Sequence, residues 1–186
     1  MTRLAIASEP GFSVSLADAP EPSGVPNYTL ETLLDLRAEL PPGGTLFCLM
    51  GADSFAGLRR WHGAAEIPFV APLIVASRPG ERLNDLKAAL PEGLAISSLH
   101  KSDLHKGGIE LRRYILRNCT GELAPLYLMP GLEIEISASE IREQVRIQEL
   151  GRAAEATRAP ERELLPASVS EYIRAHGLYL DLPLPG

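Results

Sequence analysis

The chain has 186 residues, with 24 acidic and 18 basic side chains and a formal charge of −6. That balance, with no long basic run, argues against nucleic acid as a partner. Two cysteines, Cys48 and Cys119, with no Cys-x-x-Cys pair, give neither a disulfide framework nor a zinc module, so a reducing cytoplasm is the expected compartment.

The length suits one domain spanning 1–186. The longest apolar stretch, Ile67 to Ala76, is too short to cross a bilayer and contains two prolines, so no membrane partner is expected. Residues 4–7 are too brief for a signal-peptide core.

In chain order, residues 1–8 read as the last turns of a helix stopped by Pro10-Gly11. Phe12 to Ser15 alternates like a short strand. Three prolines and a glycine make 17–27 a loop. Tyr28 to Leu40 is an amphipathic helix, with Leu30, Leu33, Leu34 and Leu36 on its apolar side. Pro41-Pro42-Gly43-Gly44 ends it. Thr45 to Met50 is an apolar run without alternation, the pattern of a strand covered on both faces. Leu73 to Ser77 reads as its parallel neighbour. Residues 81–90 are helical in pattern, 91–106 are ambiguous, and Ile109 to Arg117 reads as a helix with a basic side. Leu126 to Met129 is another strand, and 132–136 has period two. A helix over 139–149 follows, then an Ala/Arg/Glu-rich segment at 151–163. The last helix, Pro166 to His176, has Pro at its start and Gly177 at its end. Alternating helices and strands predict an α/β fold with a parallel sheet.

Two stretches carry chemistry. Gly51-Ala52-Asp53-Ser54 follows the 45–50 strand. Gly51 permits a sharp turn or a close approach, and Asp53 and Ser54 are N-cap types. At the carboxyl edge of a parallel sheet, Asp53 either accepts hydrogen bonds from a ribose diol or simply caps a helix. Ser137-Ala138-Ser139-Glu140-Ile141-Arg142 has capping-box spacing, from Ser137 to Glu140. A helix start of that kind can seat phosphate, with Arg142 adding donors, or be no more than a capped helix with a solvated arginine. Trp61, the one tryptophan, either stacks on a flat ring or fills a core gap. Arg78, just past a strand end, either meets a phosphate or is solvated. No pair among the four histidines has zinc-ligand spacing together with Cys or carboxylate partners.

Several segments in register then carry a resemblance. They are Asn27-Tyr-Thr-Leu-Glu-Thr-Leu, Gly51-Ala-Asp-Ser with Trp61-His62, Ser77-Arg-Pro-Gly, Ile136-Ser-Ala-Ser-Glu-Ile-Arg, and Leu164-Leu-Pro with His176-Gly-Leu-Tyr. In this order they resemble the bacterial nicotinate-mononucleotide adenylyltransferases over almost the whole chain. The resemblance implies a Rossmann-like nucleotidyltransferase fold and transfer of AMP from ATP to nicotinate mononucleotide, with Mg2+, in NAD biosynthesis. It also implies a nicotinate pocket of Thr29, Trp61 and His62, with Arg78 near that nucleotide. Gly51 and Asp53 would contact nucleotide, and Ser137, Ser139 and Arg142 would hold the ATP phosphates.

The family's His-x-Gly-His turn is not found in the 186 residues, nor is any His-x-x-His. On the resemblance, the opening strand–helix–strand, roughly 30 residues or more, precedes what this chain contains. The fold is therefore expected to be N-terminally incomplete, leaving the 45–50 strand with an apolar edge. The alternatives are a nucleotide-binding homologue without catalysis and a related enzyme such as a pantetheine-phosphate adenylyltransferase.

Overall fold

The computed structural model describes residues 1–20, 22–76, 86–98, 111–129, 138–152 and 165–179, the side chains of 98 and 148–152 excepted. The chain divides into two compact units. One is Leu16–Ile134; the other joins Met1–Ser15 to Glu135–Gly186.

The Leu16–Ile134 unit is built on a sheet that has five strands among the described residues, in the order β1-β2-β5-β4-β3. Strands β1 (Cys48–Gly51), β2 (Leu73–Ala76) and β5 (Leu123–Met129) run parallel, while β4 (Arg112–Arg117) and β3 (Ala95–Ser98) join antiparallel. The α/β class expected from the sequence is present, and its parallel sheet forms one half of a mixed one.

Register explains the core. Cys48, Leu73 and Leu126 align across the parallel strands, as do Met50, Val75 and Leu128. Leu73, Val75 and Leu126 are fully buried. Alternate residues point the other way. On that second face lie Leu49, 65% exposed, and Phe47, which meets Tyr127 edge-on at 6.2 Å. The apolar run at 45–50 therefore belongs to an edge strand covered on one face, not to a strand covered on both.

Helix α2 (Thr29–Ala38) packs on the core through Leu30 and Leu33. Leu34, placed on the apolar side by the sequence, is exposed. Arg37 Nη1 donates to the carbonyl of Phe69, at 3.3 Å, tying α2 to helix α4 (Ile67–Val70). Between β1 and α4 come helix α3 (Ala52–Gly57) and a 3-10 turn, Leu58–Arg60; Phe55, Leu58 and Ile67 are fully buried there. Helix α5 (Leu86–Ala89) falls within the helical stretch read at 81–90.

Two sequence readings are corrected. Phe12 to Ser15 forms no strand. Ile109 to Arg117, read as a helix, contains β4, paired along its whole length with β5. The turn between these strands explains the outcome. The Asn118 side-chain oxygen accepts from the backbone N–H groups of Thr120 and Glu122, and Gly121 sits at φ 87°. A turn held this firmly makes strand pairing the better use of the flanking backbone. The period-two stretch at 132–136 and the segment at 151–163 lie outside the described residues, except for Gly151 and Arg152, which end a helix.

In the other unit, helix α1 (Thr2–Ala5) packs against helix α7 (Ala167–Ala175), whose Val169 and Ile173 are buried. Gly177, at φ 56°, closes α7 as the sequence indicated. The N–H of Leu178 donates to Ile173 O at 3.0 Å and that of Gly177 to Arg174 O at 3.1 Å, a Schellman pair. Helix α6 (Ala138–Arg152) is the longest described. Among the described residues, no helix is long and apolar enough to cross a membrane.

Candidate functional site

Strand β1 leads straight into α3, with Gly51 as both last strand residue and N-cap. The expected cap by Asp53 or Ser54 is not made, since no side chain bonds the helix start. Asp53 instead lies in the first turn of α3, exposed, where a carboxylate suits the positive end of the helix dipole. Gly51 has an ordinary extended φ of −75°, so no left-handed backbone demands glycine. A Cβ at 51 would come within 2.6 Å of Asp53 Oδ1, the far end of an exposed side chain that can turn away, so the fit is close but does not require glycine. The close approach that the sequence suggested at Gly51 is made by the chain's own carboxylate, which reaches back over the end of β1.

The residues expected around a nicotinate ring are brought together. Trp61 is half-buried and packs on the core. Its N–H donates to Leu58 O at 2.9 Å, and its carbonyl accepts from Ala64 N at 3.3 Å. Gly63 has φ 60°, and a Cβ on it would overlap Leu30 Cδ2. The His62 ring lies on that of Tyr28, with centroids 4.3 Å apart and planes at 31°. His62 Nε2 is 3.4 Å from Glu31 Oε1. Thr29, the first residue of α2, sits between Tyr28 and Leu30, both of which touch the 62–63 segment. Tyr28, Glu31 and Gly63 were not singled out as site residues by sequence reasoning. The available signal was their place at the predicted start of a helix, Tyr28 as its N-cap and Glu31 in its first turn.

The start of α2 is itself anchored. Asn27 Nδ2 donates to Ala19 O at 2.6 Å, and Thr32 Oγ1 lies 3.3 Å from both Asp18 Oδ1 and Tyr28 O.

On α6, Ser139 and Arg142 are exposed. The Arg142 Nε donates to Ala138 O, one turn back, at 3.0 Å. Arg142 also borders a mostly apolar groove of about 360 Å3 that includes Met1, Ala5, Ile141, Val169 and Ile173. Arg78 and Ser137 lie outside the described residues. The Cys48 thiol is pushed above its ordinary pKa by burial, which disfavours the thiolate. Among the described residues no group of three or more His, Cys, Asp or Glu could hold a metal ion. They offer no protein cage for Mg2+, and no chemical step is assigned to one here.

The mixed α/β sheet, with Gly51 and Asp53 at the carboxyl end of an outer parallel strand, is consistent with the Rossmann-like nucleotidyltransferase class. Curated relatives narrow it. A probable nicotinate-nucleotide adenylyltransferase of Aeromonas hydrophila is 37% identical over 180 residues, covering 96% of this chain and 71% of the relative. Proteins of the same description from Stenotrophomonas maltophilia and Marinobacter nauticus are 34% and 32% identical, over 96% and 100% of this chain and 72% and 74% of theirs. The chain matches no protein-family model. On the strength of these relatives, it belongs to the nicotinate-nucleotide adenylyltransferase family.

Proposed function

We propose that the chain serves NAD biosynthesis in the cytoplasm by joining nicotinate mononucleotide to ATP, with Mg2+ accompanying the nucleotide. The supporting observation is the Trp61–Gly63 segment, fastened to the first turn of α2 beside a half-buried indole. A flat pyridine carboxylate suits such a place, with the indole for stacking and nearby backbone N–H groups for the carboxylate. A phosphopantetheine arm has no flat ring to offer.

In the proposed reaction a phosphate oxygen of the mononucleotide attacks the α-phosphorus of ATP. A new P–O bond forms, the bond to the β-phosphate bridging oxygen breaks, and pyrophosphate leaves. Such a transfer needs aligned reactants and fixed donors more than a covalent nucleophile. Thr29, Trp61 and His62, with Arg78, are proposed to hold the mononucleotide. Gly51 and Asp53 are proposed to meet nucleotide backbone and ribose, and Ser137, Ser139 and Arg142 the ATP phosphates.

The alternative reading is nucleotide binding without transfer. One assay separates the two. The chain is mixed with ATP and nicotinate mononucleotide, and pyrophosphate is followed beside a calorimetric titration. Pyrophosphate release supports transfer, binding without release supports the second reading, and no binding rejects both. Trp61→Ala is expected to weaken mononucleotide binding by about 1–3 kcal/mol, the range for base–aromatic stacking.

A further inference from the structure

Beside the segment proposed for nicotinate stands a carboxylate that an anion site would seem better without. Glu31 is half-exposed, with its Oε1 3.4 Å from His62 Nε2. A bare carboxylate in that position would repel an incoming nicotinate carboxylate. It also has an ordinary structural use, since it lies in the first turn of α2.

The geometry around His62 favours a more specific role. An exposed imidazole on an otherwise free side chain samples several rotamers. Here the Tyr28 ring lies against it at 4.3 Å, and Glu31 meets its Nε2. Tyr28 is the extended N-cap residue of α2 and Glu31 lies in its first turn, so the start of the helix presents both. The neighbours of His62 are fixed independently: Trp61 by its bond to Leu58 O, Gly63 by its left-handed backbone against Leu30. His62 is the remaining degree of freedom in the segment, and these two side chains take it up.

We propose that Tyr28 and Glu31 are positioning residues for His62, holding its imidazole against α2 so that the Trp61–Gly63 segment is preshaped for an aromatic carboxylate nucleotide. The inference rests on the reading of that segment as the nicotinate side of the site. It makes Glu31 favourable to the binding of an anion, the reverse of what simple charge repulsion gives. The sign of one substitution therefore separates the two ideas.

The test uses the full chain and two readouts. In the first, long-range proton–nitrogen spectra follow the histidine rings without ligand. Glu31→Gln and Tyr28→Leu are each expected to move the His62 ring signals and leave those of His100, His105 and His176 in place. Unmoved His62 signals, even with a lowered melting temperature, overturn the positioning role. In the second, nicotinate mononucleotide is titrated into the wild type, Glu31→Gln, His62→Ala and the double variant. Glu31→Gln is expected to weaken binding about two- to fivefold, the scale of an exposed pair, and to add nothing once His62 is alanine. Unchanged or tighter binding in Glu31→Gln overturns the proposal, as does a double variant whose loss is the product of the single losses. A wild-type chain that does not bind the mononucleotide overturns the nicotinate reading and the ligand half of this inference with it. The ring spectra decide the positioning half in either case.

Discussion

The Trp61–Gly63 segment and the start of helix α6 are both proposed to meet substrate, and they are held on different terms. The first is fixed by protein. Trp61 rests on the core, Gly63 is wedged against Leu30, and His62 is flanked by Tyr28 and Glu31. At the second, the two described residues proposed for phosphate stand in solvent. Ser139 and Arg142 are exposed, and the Arg142 Nε is occupied by a carbonyl of its own helix. A planar ring is recognised by shape, so its seat gains from being built beforehand. Phosphates are recognised by charge and donors, which water keeps available until the ligand arrives.

The largest effect that could break this contrast comes from the core on which Trp61 packs. Leu58 is fully buried, so Leu58→Ala is expected to cost about 2–5 kcal/mol in a denaturant titration. A loss under 1 kcal/mol would mean that the core does not support Trp61 as described. Next comes Gly63→Ala, where the left-handed backbone and the overlap with Leu30 together predict a loss of about 1–3 kcal/mol. Mononucleotide binding should weaken beyond the share of chain unfolded; full binding in the folded fraction would show that the segment tolerates a different shape.

Arg142→Ala sharpens the other side. Its stability should stay within about 0.5 kcal/mol of wild type, as for an exposed position, while ATP binding weakens. A large fall in melting temperature would instead make Arg142 part of the fold.

The smallest effect concerns Cys48, which packs on the same core as Trp61. Its pKa is raised in the folded chain by burial, so its contribution to stability is complete below the unfolded thiol pKa. That contribution is lost as pH rises through the folded value. Melting curves taken from neutral to alkaline pH should fall slightly more steeply for the wild type than for Cys48→Ala. Parallel curves would remove the burial effect.

Much of this was legible before any coordinates. The apolar runs at 45–50, 73–77 and 126–129 each hold a parallel strand, because short apolar runs bounded by Gly and Pro leave few other solutions. Helix α7 and its Gly177 stop were written in Pro166 and the glycine. Strand β4 was not legible, because Leu111 to Arg117 fits either period until its hairpin partner is known. Its missed clue was Asn118 with Gly121, a turn signal passed over in favour of helical spacing. The exposure of Leu49 was also hidden, since a continuous apolar run cannot say which of its faces is covered. At the candidate site, Trp61 and His62 could be named from the sequence. What could not be read was that Tyr28 and Glu31, more than thirty positions before His62, would close on its ring.

The close fit of Gly51 and Asp53 has a consequence for heredity. A side chain at 51 is permitted by the backbone, whose φ is unexceptional, but it would push the Asp53 carboxylate to another rotamer. Such a variant is expected to melt at the temperature of its parent while holding the Asp53 carboxylate in a different direction. The two positions are thus expected to change together in descent or not at all, and a stability screen alone would never reveal why.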